Sequence, residues 1–411
     1  MTISNRSRRV VVTGMGAVTP IGIGVDDFWQ SLVAGVSGTT EISSFDTDGL
    51  YINIAAEVKD FDPARHLTNK LLLLADRFSQ FAAIAAAEAM TMAGLGAPLA
   101  DPMRTACIIG SGAGGLITSE TGYYDLFVKK KKATHPLTLL RIIGSSASAH
   151  VGIEYGITGP TFGTVSACST ATHAIGLLMG FIRQGLVDVG IAGASEAVLT
   201  FGTMRAWQAM RVLSPDGCYP FARRRNGTVL GEGSGVLVLE DLGHARARGA
   251  TILAELKGFA MTSDAKDMVN PDVAGPREAM RLALTDADVE PGHIDYLNAH
   301  GTATTINDVK ETQAIREVFG PAADGLAVSS TKSMHGHLLG AGGGVEAIAC
   351  IKAIGEGTIP PTIGFDEPGK GCDLDYTPNT AAKRDVSHAV SNSFAFGGLN
   401  AVLVFGPPPA D

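Results

Sequence analysis

Short, almost continuously apolar segments rich in β-branched residues recur along this chain and alternate with helix-like stretches. Strands are predicted at "RRVVVTG", "TACIIG", "FGTVSA", "VGIAGA" and "GVLVLE" in the first 240 residues, and at "IDYLNA", "LAVSS", "AVSNS" and "NAVLVFG" in the rest. Helices are predicted over 71–94, 169–185, 275–287, 308–318 and 338–355. Strands without polar alternation need cover on both faces. The pattern therefore predicts an α/β protein whose sheets lie between helices.

Two segments from opposite ends of the chain resemble each other. "TVSACSTATHAIG" and "AVSNSFAFGGLNA" both run from a buried strand, through a serine and a turn of small residues, into a Gly/Ala-rich segment. This similarity favours a fold built from two related halves.

Composition and charge exclude several classes of protein. The 411 residues carry a formal net charge of −9, which argues against broad nucleic-acid binding. The apolar stretches are too short to cross a bilayer, and no signal segment precedes the first strand, so we expect a cytoplasmic protein. The five cysteines contain no CxxC pair, which makes a disulfide framework or a zinc knuckle unexpected.

One cysteine stands at a chemically favourable point. After Cys168, apolar residues fall at 171, 174, 175, 178 and 182, which is one face of a helix. Cys168 would then lie at the end of the strand "GTVSA" and at the helix N-terminus, where free N–H groups lower the pKa of a thiol. The alternative is a buried structural cysteine, because cysteine is among the most buried residue types.

Histidines follow two later predicted strands. "NAHGTAT" places His300 beside the hydroxyls of Thr302 and Thr304, and "SSTKSMHGHLLGAGGG" places Lys332 and His337 before a Gly-rich helix. Catalytic groups of α/β folds gather at the carboxyl ends of strands. A metal site formed by His300, His335 and His337 is the alternative, against which the neighbouring lysine argues.

Two further motifs have plain interpretations. "GSGAGG" at 110–115 matches the glycine pattern of dinucleotide-binding loops, but no acidic residue on a second strand follows, so close backbone packing explains it better. "KKKK" at 129–132 is a charge run of the kind that usually forms solvated surface.

Together, "VSACST", "NAHGTAT", "SSTKSMHGHLLGA" and "SNSFAFGG" resemble the β-ketoacyl-acyl-carrier-protein synthases, most of all the type II condensing enzymes of the thiolase superfamily. The resemblance spans nearly the whole chain. It implies a thiolase-like five-layer αβαβα fold of two similar halves, 1–250 and 251–411, and a homodimer. It also implies a decarboxylative condensation of an acyl chain with malonyl-acyl-carrier protein, without a metal or a redox cofactor.

The resemblance assigns roles to the reactive residues. Cys168 matches the nucleophile that holds the acyl chain, and His300 and His337 match the pair that supports malonyl decarboxylation. Lys332 matches the family's structural and electrostatic lysine, and Glu311 its acidic partner. A thiol suits thioester exchange because it is intrinsically nucleophilic.

Other positions match the substrate pocket. Phe396 matches the gate of the acyl pocket, and its N–H with that of Cys168 would form an oxyanion hole. Thr302, Thr304, Ala113 and Trp207 are the further candidate substrate contacts.

The acidic carrier protein is the expected partner, and neither nucleic acid nor membrane is expected. Arg211, Lys129 and Lys130 are candidate docking residues for it.

Departures from the type II pattern favour a specialised relative, such as a very-long-chain, nodulation-type or polyketide-type condensing enzyme. The gate has Ala395 and Leu399 where Gly and Thr are usual, Ala113 stands where Ile is frequent, and Leu73 and Leu74 replace basic residues. One alternative is a type II polyketide ketosynthase that works with a chain-length-factor partner. Another is a non-catalytic partner subunit, which the intact cysteine and histidines oppose.

Overall fold

A computed structural model describes residues 8–410 of the chain. The strands are β1 (Val10–Thr19), β2 (Gly22–Ile23), β3 (Thr39–Glu41), β4 (Ile54–Ala56), β5 (Thr105–Gly110), β6 (Thr161–Phe162), β7 (Val189–Glu196), β8 (Gly233–Asp241), β9 (Ala254–Ser263), β10 (Tyr296–Asn298), β11 (Ala327–Ser329), β12 (Thr358–Ile359), β13 (Ala382–Lys383), β14 (Ala389–Ala395) and β15 (Leu399–Gly406). The helices are α1 (Val25–Ala34), α2 (Asn69–Leu74), α3 (Arg77–Met92), α4 (Leu116–Phe127), α5 (Thr138–Ile142), α6 (Ser146–Tyr155), α7 (Thr170–Arg183), α8 (Phe201–Ala209), α9 (Leu242–Ala247), α10 (Ala274–Ala287), α11 (Asn307–Phe319), α12 (Lys332–His335) and α13 (Gly342–Glu356).

The main strands form two sets with the same topology. The first set has the order β6-β5-β7-β8-β1 and the second the order β11-β10-β14-β15-β9. In each set the two pairings nearest the first-named edge are parallel and the two that follow are antiparallel. The sets meet where β1 pairs with β9 at Val10–Val12. The predicted similarity of the two halves is therefore confirmed in strand order and direction.

Helices cover both faces of each set. The mostly buried α7 and α13 contact strands of both sets, which places them in the middle of the molecule. On the outside, α3 and α6 pack on the first set, and α10 packs on the second and against α11. The predicted α/β fold with five layers is confirmed. No helix within residues 8–410 is long and apolar enough to span a bilayer.

Several predicted elements have different limits. The predicted helix 71–94 is two helices, because Asp76 accepts a hydrogen bond from the Phe78 N–H and caps the start of α3. The predicted helix 338–355 begins only at Gly342, after a 3₁₀ turn. The predicted strand "FGTVSA" is a strand only at its first residue, since the Ser166 N–H bonds the Thr170 hydroxyl instead of a neighbouring strand. The strand β9, with its alternating burial, was absent from the prediction.

Candidate active site

Cys168 lies in a tight turn that hydroxyl groups hold in place. The 3₁₀ turn Ala167–Ser169 leads directly into α7, and Ala167 adopts a left-handed φ of 48°. The Thr170 hydroxyl donates to the Ala167 carbonyl at 2.7 Å, and the Ser169 hydroxyl to the Ser166 carbonyl at 2.8 Å. The predicted position at the start of a helix is confirmed. Such a left-handed residue stores backbone strain that the surroundings must support.

The predicted lowering of the Cys168 pKa is wrong. The side chain is only 6% exposed, and burial raises the pKa of the thiol to about 12. The positive charge of Lys332 and the backbone N–H of Phe396 offset part of this rise, whereas Glu196 and Glu346 add to it. Desolvation therefore outweighs the helix N-terminus here, and the resting form is the thiol.

His337 is fixed beside the sulfur. Its Nε2 lies 3.1 Å from Cys168 Sγ, and its Nδ1 accepts the Leu339 N–H at 3.3 Å. Since a backbone N–H can only donate, the proton of the neutral ring is on Nε2, which points at the sulfur. Burial and the charge of Lys332 hold the pKa of His337 well below its usual range, so the ring is neutral.

His300 is held from behind by a carboxylate. Glu311 on α11 accepts the N–H groups of His300 at 2.8 Å and of Gly301 at 2.7 Å. The rings of His300 and His337 meet edge to face with centroids 5.5 Å apart. Burial, with Lys332 adding to it, keeps the pKa of His300 well below its usual range. Glu311 thus orients the backbone that carries His300. Burial raises the pKa of this carboxylate, and the positive charge of Lys332 acts on it as well, lowering its pKa.

The lysine of this site is paired with a residue that the sequence analysis missed. Lys332 and Glu346 form an ion pair in which each side chain is 1% exposed. Burial raises the pKa of Glu346 above its usual value, and the positive charge of Lys332 offsets part of this rise. In sequence, Glu346 is one of many helical glutamates, and only its place among glycines and apolar residues of α13 sets it apart.

These side chains converge on one cavity. The sulfur of Cys168 and ring nitrogens of His300 and His337 lie within 4.8 Å of one another. They line a cavity of about 360 Å³. His335 does not join them, because its ring nitrogens are engaged by Gly336 O at 2.8 Å and the Thr331 hydroxyl at 3.0 Å. The alternative metal site with His335 is therefore not formed.

The predicted substrate contacts fall into two groups. Trp207, Thr302, Thr304 and Phe396 all line the cavity, and the rings of Trp207 and Phe396 lie 5.8 Å apart. Ala113 does not line it, because its side chain is exposed at the surface of the single chain. The N–H of Phe396 hydrogen-bonds Cys168.

A second buried glutamate ties two loops together behind the cysteine. Glu196, at the end of β7, accepts N–H groups from Gly112 at 2.8 Å, Ala113 at 3.2 Å and Gly340 at 3.1 Å, and the Ser111 hydroxyl at 2.8 Å. A Cβ on Gly112 would lie 2.9 Å from this carboxylate. Close packing thus explains "GSGAGG", as predicted. The sequence analysis missed Glu196, although an acidic residue ending a buried strand was a usable signal.

The candidate docking residues are scattered. Arg211 lies at the cavity, with an exposed side chain. Lys129 does not line it and pairs with Asp125 at 3.2 Å, as does Lys131 at 2.7 Å. Lys130 is exposed with a φ of 54°.

Comparison with known proteins agrees with this fold. The family model "Beta-ketoacyl synthase, N-terminal domain" matches residues 7–245, and "Beta-ketoacyl synthase, C-terminal domain" matches 253–366. The chain is thus a ketoacyl synthase, a condensing enzyme of the acyltransferase class, and belongs to the β-ketoacyl synthase family.

Two curated relatives match over nearly their full lengths. "Nodulation protein E" of Rhizobium leguminosarum bv. trifolii is 45% identical over 97% of this chain and 99% of the relative. "3-oxoacyl-[acyl-carrier-protein] synthase 2" of Staphylococcus aureus (strain COL) is 42% identical over 98% of this chain and 99% of the relative.

Solved structures are similar over the same extent. "The ishigamide ketosynthase/chain length factor" has a TM-score of 0.92 at 36% identity, covering 98% of this chain and 100% of that one. A type II polyketide synthase acyl-carrier protein in complex with its ketosynthase has a TM-score of 0.89 at 32% identity, with the same coverage.

Proposed function

We propose that the chain condenses an acyl group held on Cys168 with malonyl-acyl-carrier protein. In the first half-reaction, sulfur attacks the thioester carbonyl of the acyl carrier, and the carrier leaves as its thiol with the proton of Cys168. The N–H groups of Cys168 and Phe396 receive the oxyanion of the tetrahedral intermediate. The observation that carries this proposal is the single cavity in which Cys168, His300 and His337 meet.

The second half-reaction follows from the neutral histidines. Malonyl thioester loses carbon dioxide, and the electron pair of the broken C–C bond moves onto the thioester oxygen as an enolate. The Nε2–H of His337, with His300 beside it, donates to that oxygen. The enolate carbon then attacks the acyl carbonyl, the C–S bond breaks, and Cys168 leaves as a thiolate that takes a proton from solvent. Because the pKa values of His300 and His337 are well below the usual range, both rings are neutral. A neutral ring stabilises the enolate by donating a hydrogen bond and keeps its proton, so its charge does not change during catalysis.

We assign supporting roles to the surrounding residues. Lys332 contributes positive charge to the site, and Glu311 orients His300. Thr302 and Thr304 line the approach to the sulfur and would contact the arm of the carrier protein, with Trp207 and Phe396 forming the wall and gate. The chain has a net charge of −9, so its surface as a whole would repel an acidic carrier protein. Local cations such as Arg211 are therefore the better docking candidates than the overall charge of the chain.

A second copy of the chain is the proposed partner in a homodimer. Within residues 8–410, the edge strand β6 pairs only with β5, and its other side is open. Phe162 in this strand is 36% exposed and Val165 beyond it 71%. The neighbouring α4–α5 segment adds exposed apolar side chains, at positions 123, 124, 127, 128, 139, 140 and 143. An open strand edge beside apolar surface favours association, and the exposed Ala113 would reach an acyl pocket only if a partner covered it.

The similarity to "Nodulation protein E" and to the ishigamide ketosynthase/chain length factor supports a specialised acyl chain as the product. Type II polyketide chemistry with a chain-length-factor partner is the second candidate, favoured by the similarity to the ishigamide ketosynthase/chain length factor. A non-catalytic subunit is disfavoured because all three reactive side chains are present and adjacent. Five free buried cysteines fit the reducing cytoplasm as the place of work.

The proposed division of roles is tested with His300→Asn and His337→Asn. Each should slow release of carbon dioxide from malonyl-carrier protein by at least 100-fold, while acyl transfer to Cys168 changes much less. His335→Asn is the control for a buried histidine outside the cavity, and stability of all variants is checked by thermal melting. Loss of acyl loading with decarboxylation intact would contradict the assignment.

A further inference from the structure

A buried glutamate joins two loops behind the reactive cysteine. Glu196 is fully buried at the end of β7. Its Oε2 accepts the N–H groups of Gly112 at 2.8 Å and of Gly340 at 3.1 Å. Its Oε1 accepts the Ser111 hydroxyl at 2.8 Å and the Ala113 N–H at 3.2 Å. All four partners are donors, so the carboxylate uses both oxygens to fix the two loops against each other.

The two loops approach this carboxylate more closely than residues with a Cβ would allow. A Cβ on Gly340 would lie 2.6 Å from Glu196 Oε2 and 2.8 Å from the Gly112 nitrogen. A Cβ on Gly112 would lie 2.9 Å from the same oxygen. The glycines at both positions are therefore required by this contact.

The second loop leads from Gly340 back to a reactive histidine. Leu339, one residue earlier, has a left-handed φ of 45°, which a residue with a large side chain keeps only when its surroundings hold it. The Leu339 N–H donates to His337 Nδ1 at 3.3 Å, and the Nε2 of that ring lies 3.1 Å from Cys168 Sγ. The N–H of Gly340 belongs to the peptide that follows Leu339. Glu196 therefore fixes the backbone directly beside the contact to His337.

We propose that Glu196 is a positioning residue that, through the Leu339 N–H, holds His337 in the tautomer that donates from Nε2. The proposal rests on the proposed function, because it takes this Nε2–H as the donor to the thioester oxygen of malonyl-carrier protein. Which nitrogen of a neutral imidazole carries the proton depends on the hydrogen bond that the other nitrogen makes. Without the Leu339 N–H, the proton is free to move to Nδ1, and Nε2 then has a lone pair where the enolate needs a donor.

The test is a double-mutant cycle on the release of carbon dioxide from radiolabelled malonyl-carrier protein. Glu196→Gln places an amide NH₂ against N–H donors and so weakens the anchor. This change should slow release about tenfold in wild type and again about tenfold in His300→Asn. In His337→Asn it should change the rate less than about twofold, because the group that Glu196 positions is already gone. A purely structural role would slow release alike in both histidine variants.

Glu88→Gln is the matched control. Glu88 also accepts N–H groups from two segments, that of Ala17 at 2.9 Å and that of Val25 at 2.6 Å, and none of these three residues lines the cavity. This control should leave the release of carbon dioxide within about twofold of wild type. Gly340→Ala, which crowds the contact but keeps the carboxylate, should give the same cycle as Glu196→Gln and replaces it if that variant does not fold.

Thermal melting shows whether the compared variants are folded. Equal slowing by Glu196→Gln in both histidine variants overturns the proposal, as does an unchanged rate in the folded single variant or a similar loss in Glu88→Gln. A wild type that releases no carbon dioxide from malonyl-carrier protein would instead contradict the proposed function.

Discussion

Removing the positive charge of Lys332 should destabilise the fold far more than an ordinary salt-bridge mutation. Lys332→Met keeps the length and apolar stem of the side chain, but leaves Glu346 charged, 1% exposed and without its partner. Breaking a buried pair in this way costs about 3–5 kcal/mol. Lys352→Met is the control, because the Lys352–Glu356 pair on the same helix has a glutamate that is 46% exposed. That change should cost about 1 kcal/mol or less.

The loss of stability in Lys332→Met should depend on pH. The pKa of Glu346 is raised by burial and lowered by Lys332, so it rises further when the lysine is lost. Below that pKa the carboxyl is neutral and its burial is tolerated, whereas above it the charge must be buried. The loss of stability in Lys332→Met should therefore be larger at pH 8 than at pH 5.

Urea titrations at one protein concentration measure these free energies of unfolding. The Lys332→Met/Glu346→Leu double variant, which removes both charges, should recover most of the lost stability. The reasoning is refuted if Lys332→Met is as stable as wild type at pH 8, or if the double variant is as unstable as the sum of the single changes.

Three further predictions concern other parts of the molecule. The rate of Cys168 alkylation by iodoacetamide should keep rising beyond pH 9, because the folded pKa of about 12 leaves the thiol protonated below it; a plateau by pH 8 would contradict this. Glu196→Gln should lower stability by about 1–3 kcal/mol in thermal melts and slow acyl loading, since an amide NH₂ would then face N–H donors; unchanged melting and loading would contradict it. Val165→Lys should shift the chain to monomers in light scattering with an unchanged circular dichroism spectrum, and a persistent dimer would contradict the proposed interface.

Local sequence signals predicted an α/β fold with covered sheets and the helix that follows Cys168, because both depend on short patterns. The five layers and the roles of the reactive residues were implied by the resemblance to a known family. Continuous apolar strands such as Val189–Glu196 imply burial on both faces, and the apolar face after Cys168 marked α7 almost to the residue. The strand β9 was not predicted, because its polar and charged residues interrupt the apolar run. In the folded chain it is a strand because it pairs with β1 and β15. Tertiary pairing there overrides local composition.

The electrostatics of the site could not be read from local pattern. The position of Cys168 before a helix predicted a thiol with a lowered pKa. Its burial, however, depends on segments from distant parts of the chain, and the resulting desolvation raises the pKa by more than the helix N-terminus lowers it. Glu346 and Glu196 have ordinary sequence surroundings, and only the folded chain brings them against Lys332 and the loop at Gly112. Long-range contacts, not residue type, decide these roles.

The covalent acyl-enzyme is the most direct test of the central claim. Wild type and Cys168→Ala are incubated with an acyl-carrier protein thioester, and intact-mass and peptide mass spectrometry locate the added acyl group. Wild type should gain one acyl mass on the peptide that contains Cys168 and release it as a β-ketoacyl product when malonyl-carrier protein is added. Cys168→Ala should fold, gain no acyl mass and form no product. An acyl group on the alanine variant, or normal turnover by it, would contradict the account.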